Sequence, residues 1–351
     1  MLATSPVNGG SNLEVVKPSP YDGEGGTAKR WKGHKKGLLY EVNTFVQQLL
    51  FTEFGSDIMD LVVATAAQGV LWGLYALGVY LTYRVLDIAD LTVEGSFPLG
   101  AAVAASMLMA GYAPITAIFA ACMAGCVSGI VTGFFCTKLK IPALLAGILT
   151  MIGLYSINLH VMGKANLPLL QRETLFTQWN IWGLDASTNI LLIGTVVVVL
   201  AILLTYWFFG TELGTAIRAT GANPHMIRAN GVNTDVMIVL GLLLSNGMVA
   251  VCGALVAQSN GFADVGMGTG TIVIGLASVI IGEVLFGTRS FKNWLISVVL
   301  GSVVYRAVIA IVLQLGMQPN DLKLFTAILV AIALSLPLIQ EKYHAMRKGA
   351  E

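Results

Sequence analysis

Long apolar runs, broken by short charged connections, set the terms for any fold this chain can adopt. A helix needs about 20 apolar residues to cross the hydrocarbon core of a bilayer. Runs of that kind recur at roughly 58–82, 113–136, 141–162, 188–209, 235–258, 270–288, 292–316 and 322–340. A ninth, 97–110, has only 14 residues, or about 21 Å of helix, so it must be completed by the polar stretch 87–96. The expected fold is therefore all-α and integral to the membrane, with about nine membrane segments and one broken or re-entrant segment near 87–110.

The charges sit outside this frame. Residues 1–57 hold six basic and six acidic residues, leaving 27 charged residues in the 294 that follow. With 20 Lys and Arg against 19 Asp and Glu there is no basic excess to draw a nucleic acid. Residues 1–37, rich in Gly, Ser, Pro and Lys, read as a disordered tail, and Met1–Pro20 has no apolar core of the signal-peptide kind. Residues 38–56 mix apolar positions at helical spacing with Glu41, Asn43, Gln47, Gln48 and Glu53, the pattern of a helix lying at the membrane interface. The membrane-spanning body then covers 57–341, and 342–351 form a C-terminal tail expected on the cytoplasmic side.

Basic residues fall at every second connection: Lys138 and Lys140, Arg218 and Arg228, Arg289 and Lys292, then Lys342, Arg347 and Lys348. The positive-inside rule makes these connections cytoplasmic. It leaves 163–187, 259–269 and 316–322 outside and puts the start of the first span outside too. The basic cluster Lys29–Lys36 prefers the inside. The conflict is removed if 38–54 makes a further crossing, or if 90–110 dips in and returns.

The longest cytoplasmic connection, 210–233, contains a fully punctuated short helix. Asn223 suits the N-cap, Pro224 the first helical position and Gly231 the left-handed C-cap, with His225 and Arg228 between them. A two-turn helix is too short to stand alone and must dock on something, either its own bundle or a cytoplasmic partner.

This run resembles the coupling-helix loop of ABC-importer permeases of the ribose and branched-chain amino acid type. Gly214, Arg218, Ala219, Gly221, Asn223 and Pro224 fit that family's G-x-x-x-R-A-x-G-x-N-P pattern, followed by Gly231 and Val232. Ala89–Ser96 is similar to the family's I-D-L-S-V-G-S signature, with Glu94 as an extra residue. Ala277–Gly287 is similar to A-V-V-I-G-G-T-x-x-x-G-G, with Glu283 in place of a glycine. The run Asp90–Gly100 is closest to single-permease systems associated with aromatic amino acids. The resemblance implies two copies of the permease in the bilayer and a separate ABC ATPase that holds ATP and Mg. It also implies an extracytoplasmic substrate-binding protein of the lipoprotein kind, and no cofactor on this chain. No phosphate-binding G-x-x-x-x-G-K-S/T motif is present: Gly163-Lys164 is followed by Ala165.

Polar residues inside spans are costly and usually face a cavity or a partner. Asp90, Glu94 and Ser96 stand at the broken segment, where half-helices in transporters aim partial charge at a substrate. They equally fit a role as caps of short helices. Asn158, Asn246 and His160 lie in spans, as pathway residues or as interhelical hydrogen bonds. Glu283 reads either as a gating carboxylate or as half of an ion pair with Arg289 or Arg306. A transporter driven by an ion gradient would use the broken segment and Glu283 equally well. Cys122 and Cys126, four apart in an apolar run, read as packing.

Overall fold

The computed structural model describes residues 59–170, 172–180, 183–316, 321, 324–331 and 335. The expected tail 1–37, the interfacial helix 38–56 and the C-terminal tail 342–351 lie outside these residues. The described residues belong to one compact unit starting at Met59.

Seven helices are long and apolar enough to cross a membrane, and an eighth, shorter one lies among them. The long ones are α1 (Met59–Val85), α3 (Pro114–Thr137), α4 (Ala143–Met162), α6 (Ala186–Phe209), α9 (Thr234–Asn260), α10 (Thr271–Phe286, which with the preceding 3-10 turn makes the span Val265–Phe286) and α11 (Phe291–Gln314). The short one is α2 (Val93–Met109). Between them lie α5 (Leu175–Gln178), α7 (Glu212–Ala222), α8 (Pro224–Ala229) and a two-stranded ribbon, β1 (Asn166–Pro168) with β2 (Phe262–Asp264). Of the nine expected segments, seven long spans and a short eighth are present among the described residues. Of the expected ninth, 322–340, only 324–331 and 335 are described, and they are helical.

The ribbon ties the two connections expected to be external: Leu167 pairs with Ala263, antiparallel. This marks one end of the bundle, and α7 and α8 mark the other. α1 starts at the ribbon end, where Gln68 Nε2 donates to Ser259 Oγ at 3.2 Å. It finishes at the α8 end in a π-helical turn, Leu81–Val85. The chain then loses helical structure from Leu86 to Thr92, with Asp87 at φ +54°. Helix α2 returns to the ribbon end, where Ser106 Oγ donates to Val161 O. It does not dip and turn back, which corrects that reading of 90–110.

Burial sorts the spans by side-chain size. Twelve of the 17 residues of α2 are buried, among them Gly95, Ser96, Gly100, Ala101, Ala102, Ala104 and Ala105. Such small side chains let helices approach to backbone contact. A Cβ on Gly129 of α3 would lie 2.4 Å from Leu242 O, so α3 rests directly on the backbone of α9. By contrast α6 turns Leu200, Leu203, Leu204 and Trp207 outward. An exposed apolar face of that extent belongs against lipid rather than water.

Candidate functional site: a broken helix, a cleft and a capped end helix

The break after α1 is held by a network of neutral donors around one buried carboxylate. Asp90 is 3% exposed. Its Oδ1 accepts from Thr92 N at 2.9 Å, and its Oδ2 accepts from Asn246 Nδ2 at 2.9 Å. Asn246 also donates to Leu242 O and accepts from Ser96 Oγ at 2.8 Å. A second chain of hydroxyls runs beside it: Thr92 meets Thr132 at 2.7 Å, and Thr132 donates to Thr150 at 2.9 Å. Asp90, Ser96 and Asn246, expected near a pathway, therefore come together as one buried brace across α2 and α9. The threonines of α3 and α4 were missed by sequence reasoning, because single hydroxyls at helical spacing carry no local signal.

Glu94 faces the other way. Its Oε1 accepts from Gly270 N at 3.1 Å, capping the start of α10. Pro98, in the second turn of α2, has no N–H to give the carbonyl four residues back. That carbonyl belongs to Glu94, and Gly268 packs against it so closely that a Cβ there would sit 2.0 Å away. The N-terminal ends of α2 and α10 thus meet inside the bundle, as interrupted helices do around transporter sites. Helix α2 begins at Val93, four residues before the apolar run that starts at Phe97.

Beside this junction lies a cleft of about 370 Å³ between α2, α4 and the start of α10. Glu94, Tyr155, Ser156, Asn158 and Thr269 supply its polar lining. Asn158 is fully buried; its Nδ2 donates to Gly95 O at 3.3 Å, and its Oδ1 has no partner among the described residues. His160, one turn on from Ser156, is exposed and bonds only to the Ser156 carbonyl.

Glu283 lies far from this cleft, in the last turn of α10 rather than mid-span. Arg84 grips it with Nε at 2.8 Å and with Nη2, and Trp294 Nε1 donates to it at 3.0 Å. The expected partners Arg289 and Arg306 are not the ones it takes. Arg306 lies fifteen residues beyond the start of α11 at Phe291, about 22 Å along the helix, whereas Glu283 is three residues from the end of α10. Arg306 instead stacks over the Trp72 ring at 4.3 Å. The signal for Arg84 was its position as the one basic residue between 58 and 137.

At the same end stand the residues of the capped loop. Sequence reasoning placed α8 correctly but missed α7, which starts where Thr211 Oγ1 accepts from Gly214 N. Asn223 Oδ1 accepts from His225 N and Met226 N, and Pro224 takes the first helical position. Gly231, at φ +82°, and Val232 close α8 by donating to Arg228 O and Ile227 O, the paired bonds of a Schellman end. Arg228 latches α8 to α9 through Thr234 Oγ1 at 2.6 Å and Asp235 Oδ1 at 3.5 Å. The rest of the pattern has equally physical reasons. A Cβ on Gly214 would lie 2.3 Å from Phe208 O, and one on Gly221 2.0 Å from Val85 O. Arg218 stacks over the Phe291 ring at 4.6 Å. Helix α7 is therefore seated on the last turn of α1, immediately before the break. Only Ile227 of α8 is buried; His225 and Met226 face outward.

Comparison with known proteins agrees with this architecture. Residues 61–334 match the family described as branched-chain amino acid transport system / permease component. A tyrosine transport system permease protein of Clostridioides difficile is 39% identical over 277 residues, covering 79% of this chain and 91% of that one. A galactofuranose transporter permease protein of Escherichia coli is 27% identical, covering 84% and 83%. An autoinducer 2 import system permease protein of Salmonella typhi is 28% identical over 60% of this chain and 59% of its own length. No solved structure matches. Matched over most of its length and carrying seven long apolar helices, this chain is an integral, multi-pass membrane protein that belongs to the permease-component family of branched-chain amino acid transport systems.

Proposed function

We propose that this permease is the membrane-spanning subunit of an ATP-driven importer for a small polar solute, an aromatic amino acid by preference, and that α8 receives force from a separate ATPase. The observation that carries the reading is the seating of α7 on α1. Gly221 rests on the carbonyl of Val85, and the non-helical 86–92 begins at the next residue. A push on α8 reaches α7, then the end of α1, then the brace at Asp90 and the start of α2. The exposed face of α8 supplies the docking surface. ATP and Mg belong to the ATPase, an extracytoplasmic binding protein delivers the solute, and a second copy completes the pathway.

The substrate preference follows the tyrosine permease, at 39% identity. The ninth crossing expected at 322–340 belongs to the same proposal. The gradient-driven alternative loses its best carboxylate, since Glu283 is engaged by Arg84 and Trp294.

The test is co-purification with the ATPase subunit and ATP hydrolysis in liposomes, for the parent and for Met226→Asp with His225→Glu. Both positions are exposed, so the fold is expected to survive while ATPase retention and coupled uptake are lost. Normal coupling in a properly folded double variant would remove α8 from the mechanism. Substitution of Arg228 is a poorer test, because it also unlatches α8 from α9.

A further inference from the structure

We infer that the cleft between α2, α4 and α10 is a binding site for the protonated amine end of the transported solute, with Glu94 and the Asn158 amide oxygen as its receiving groups. Interrupted helices in transporters often offer their N-terminal ends to an anion. Here both ends are already taken: Asp90 Oδ1 accepts from Thr92 N at the start of α2, and Glu94 accepts from Gly270 N at the start of α10. What stays open in the cleft is an acceptor.

Asn158 is fully buried, yet its Oδ1 has no partner among the described residues. Turning the amide over would not relieve this, because its oxygen would then face the Gly95 carbonyl that Nδ2 now serves. A buried polar atom left unmet is costly, and a ligand donor that meets it gains accordingly. Charge favours a cation as that donor. The lining contains one carboxylate, Glu94, and neither lysine nor arginine. The starts of α2 and α10 carry about half a positive charge each, set against the two carboxylates of Asp90 and Glu94, so the junction stays net negative. Tyr155, Ser156 and Thr269 add hydroxyls for the rest of a zwitterion, and about 370 Å³ is within the range of small-molecule sites.

This inference rests on the import reading in taking the ligand to be the passing solute, but its test needs no ATPase. The full-length permease in lipid nanodiscs is titrated with L-tyrosine, tyramine and 3-(4-hydroxyphenyl)propionate, then with L-leucine, isoamylamine and 4-methylpentanoate. In at least one series the amino acid and the amine are expected to bind and the carboxylate alone to fail. Glu94→Gln, which keeps an acceptor for Gly270, should weaken amine binding at least about ten-fold, as loss of a charge-assisted bond does. Asn158→Leu should do the same where it folds. Carboxylate binding as tight as amine binding, no amine-dependent binding in either series, or parent-like affinity in Glu94→Gln would overturn the assignment. A failure of this kind leaves ATPase coupling through α8 untouched, and a failure of coupling leaves the amine preference standing.

Discussion

Asp90 and Glu283 are both carboxylates within the helical frame, and they are held by opposite means. Asp90 is buried among a backbone N–H, an amide and hydroxyls, and no cation pairs with it among the described residues. Glu283 sits near the end of its span, clasped by a guanidinium whose side chain is 39% exposed. The difference follows from position. An ion pair formed where water can still reach avoids most of the desolvation penalty, whereas a deeply buried pair must overcome it. Inside the bundle, short hydrogen bonds from small neutral groups hold a carboxylate without bringing in a second charge. One clasp should therefore be strong, local and indifferent to salt, and the other weaker and screened.

The largest expected effect is at Asp90. Asp90→Ala strands the Thr92 N–H and one donor of Asn246, each worth about 1–3 kcal/mol when left unmet. A loss of roughly 2–4 kcal/mol, read as a lower melting temperature in nanodiscs, is expected, with the break at 86–92 loosened and transport lost. Asp90→Asn should cost about half as much, because its Oδ1 still accepts from Thr92 N and only the Asn246 donor is left unmet, the Asn246 amide being held in place by Leu242 O. If Asp90→Ala melts like the parent, the brace does not hold the break.

The next effect is at the charged clasp. Glu283→Gln keeps an acceptor for Trp294 and Arg84 but removes the charge, so about 1 kcal/mol is expected, near the upper end for partly exposed pairs. The exchange Arg84→Glu with Glu283→Arg should recover part of this. At about 1 M salt, where the screening length falls to about 3 Å, the gap between Glu283→Gln and the parent should close. The gap for Asp90→Ala should not. A salt-sensitive Asp90 variant, or a salt-insensitive Glu283 variant, would collapse the distinction between the two clasps.

How much of this could be read from the sequence depends on the range of the interactions. Span positions were legible to within a few residues, because apolar length is a local property. The ends of α8 were legible for the same reason: Asn223, Pro224 and Gly231 act on their own neighbours. The partner of Glu283 was not, since Arg84 lies 199 residues away and only the packing of α1 against α10 brings them together. The break near 87–92 was visible as a polar interruption. Its purpose was not, because Asn246 is 156 residues from Asp90. Helix α7 was hidden by its own glycines, which lower helix propensity but are needed where α7 lies on the carbonyls of Phe208 and Val85.

The smallest expected effect sharpens the comparison further, because it concerns the neutral chain alone. Thr132 links Thr92 and Thr150, with Ser128 O of its own helix as the alternative acceptor for its single hydroxyl hydrogen. Thr132→Val keeps the shape and removes the hydroxyl. Interhelical hydrogen bonds in membranes average about 0.6 kcal/mol, since the separated helices find substitute partners. A loss of about that size is expected, with no salt dependence, measured beside Asp90→Ala in the same nanodiscs. The double variant Asp90→Ala with Thr132→Val then reports whether the two networks act together. Losses that simply add would mean that the hydroxyl chain and the carboxylate brace hold the break independently. A double variant no worse than Asp90→Ala alone would mean that Thr92, the residue common to both, positions the hydroxyls only while Asp90 holds its backbone N–H.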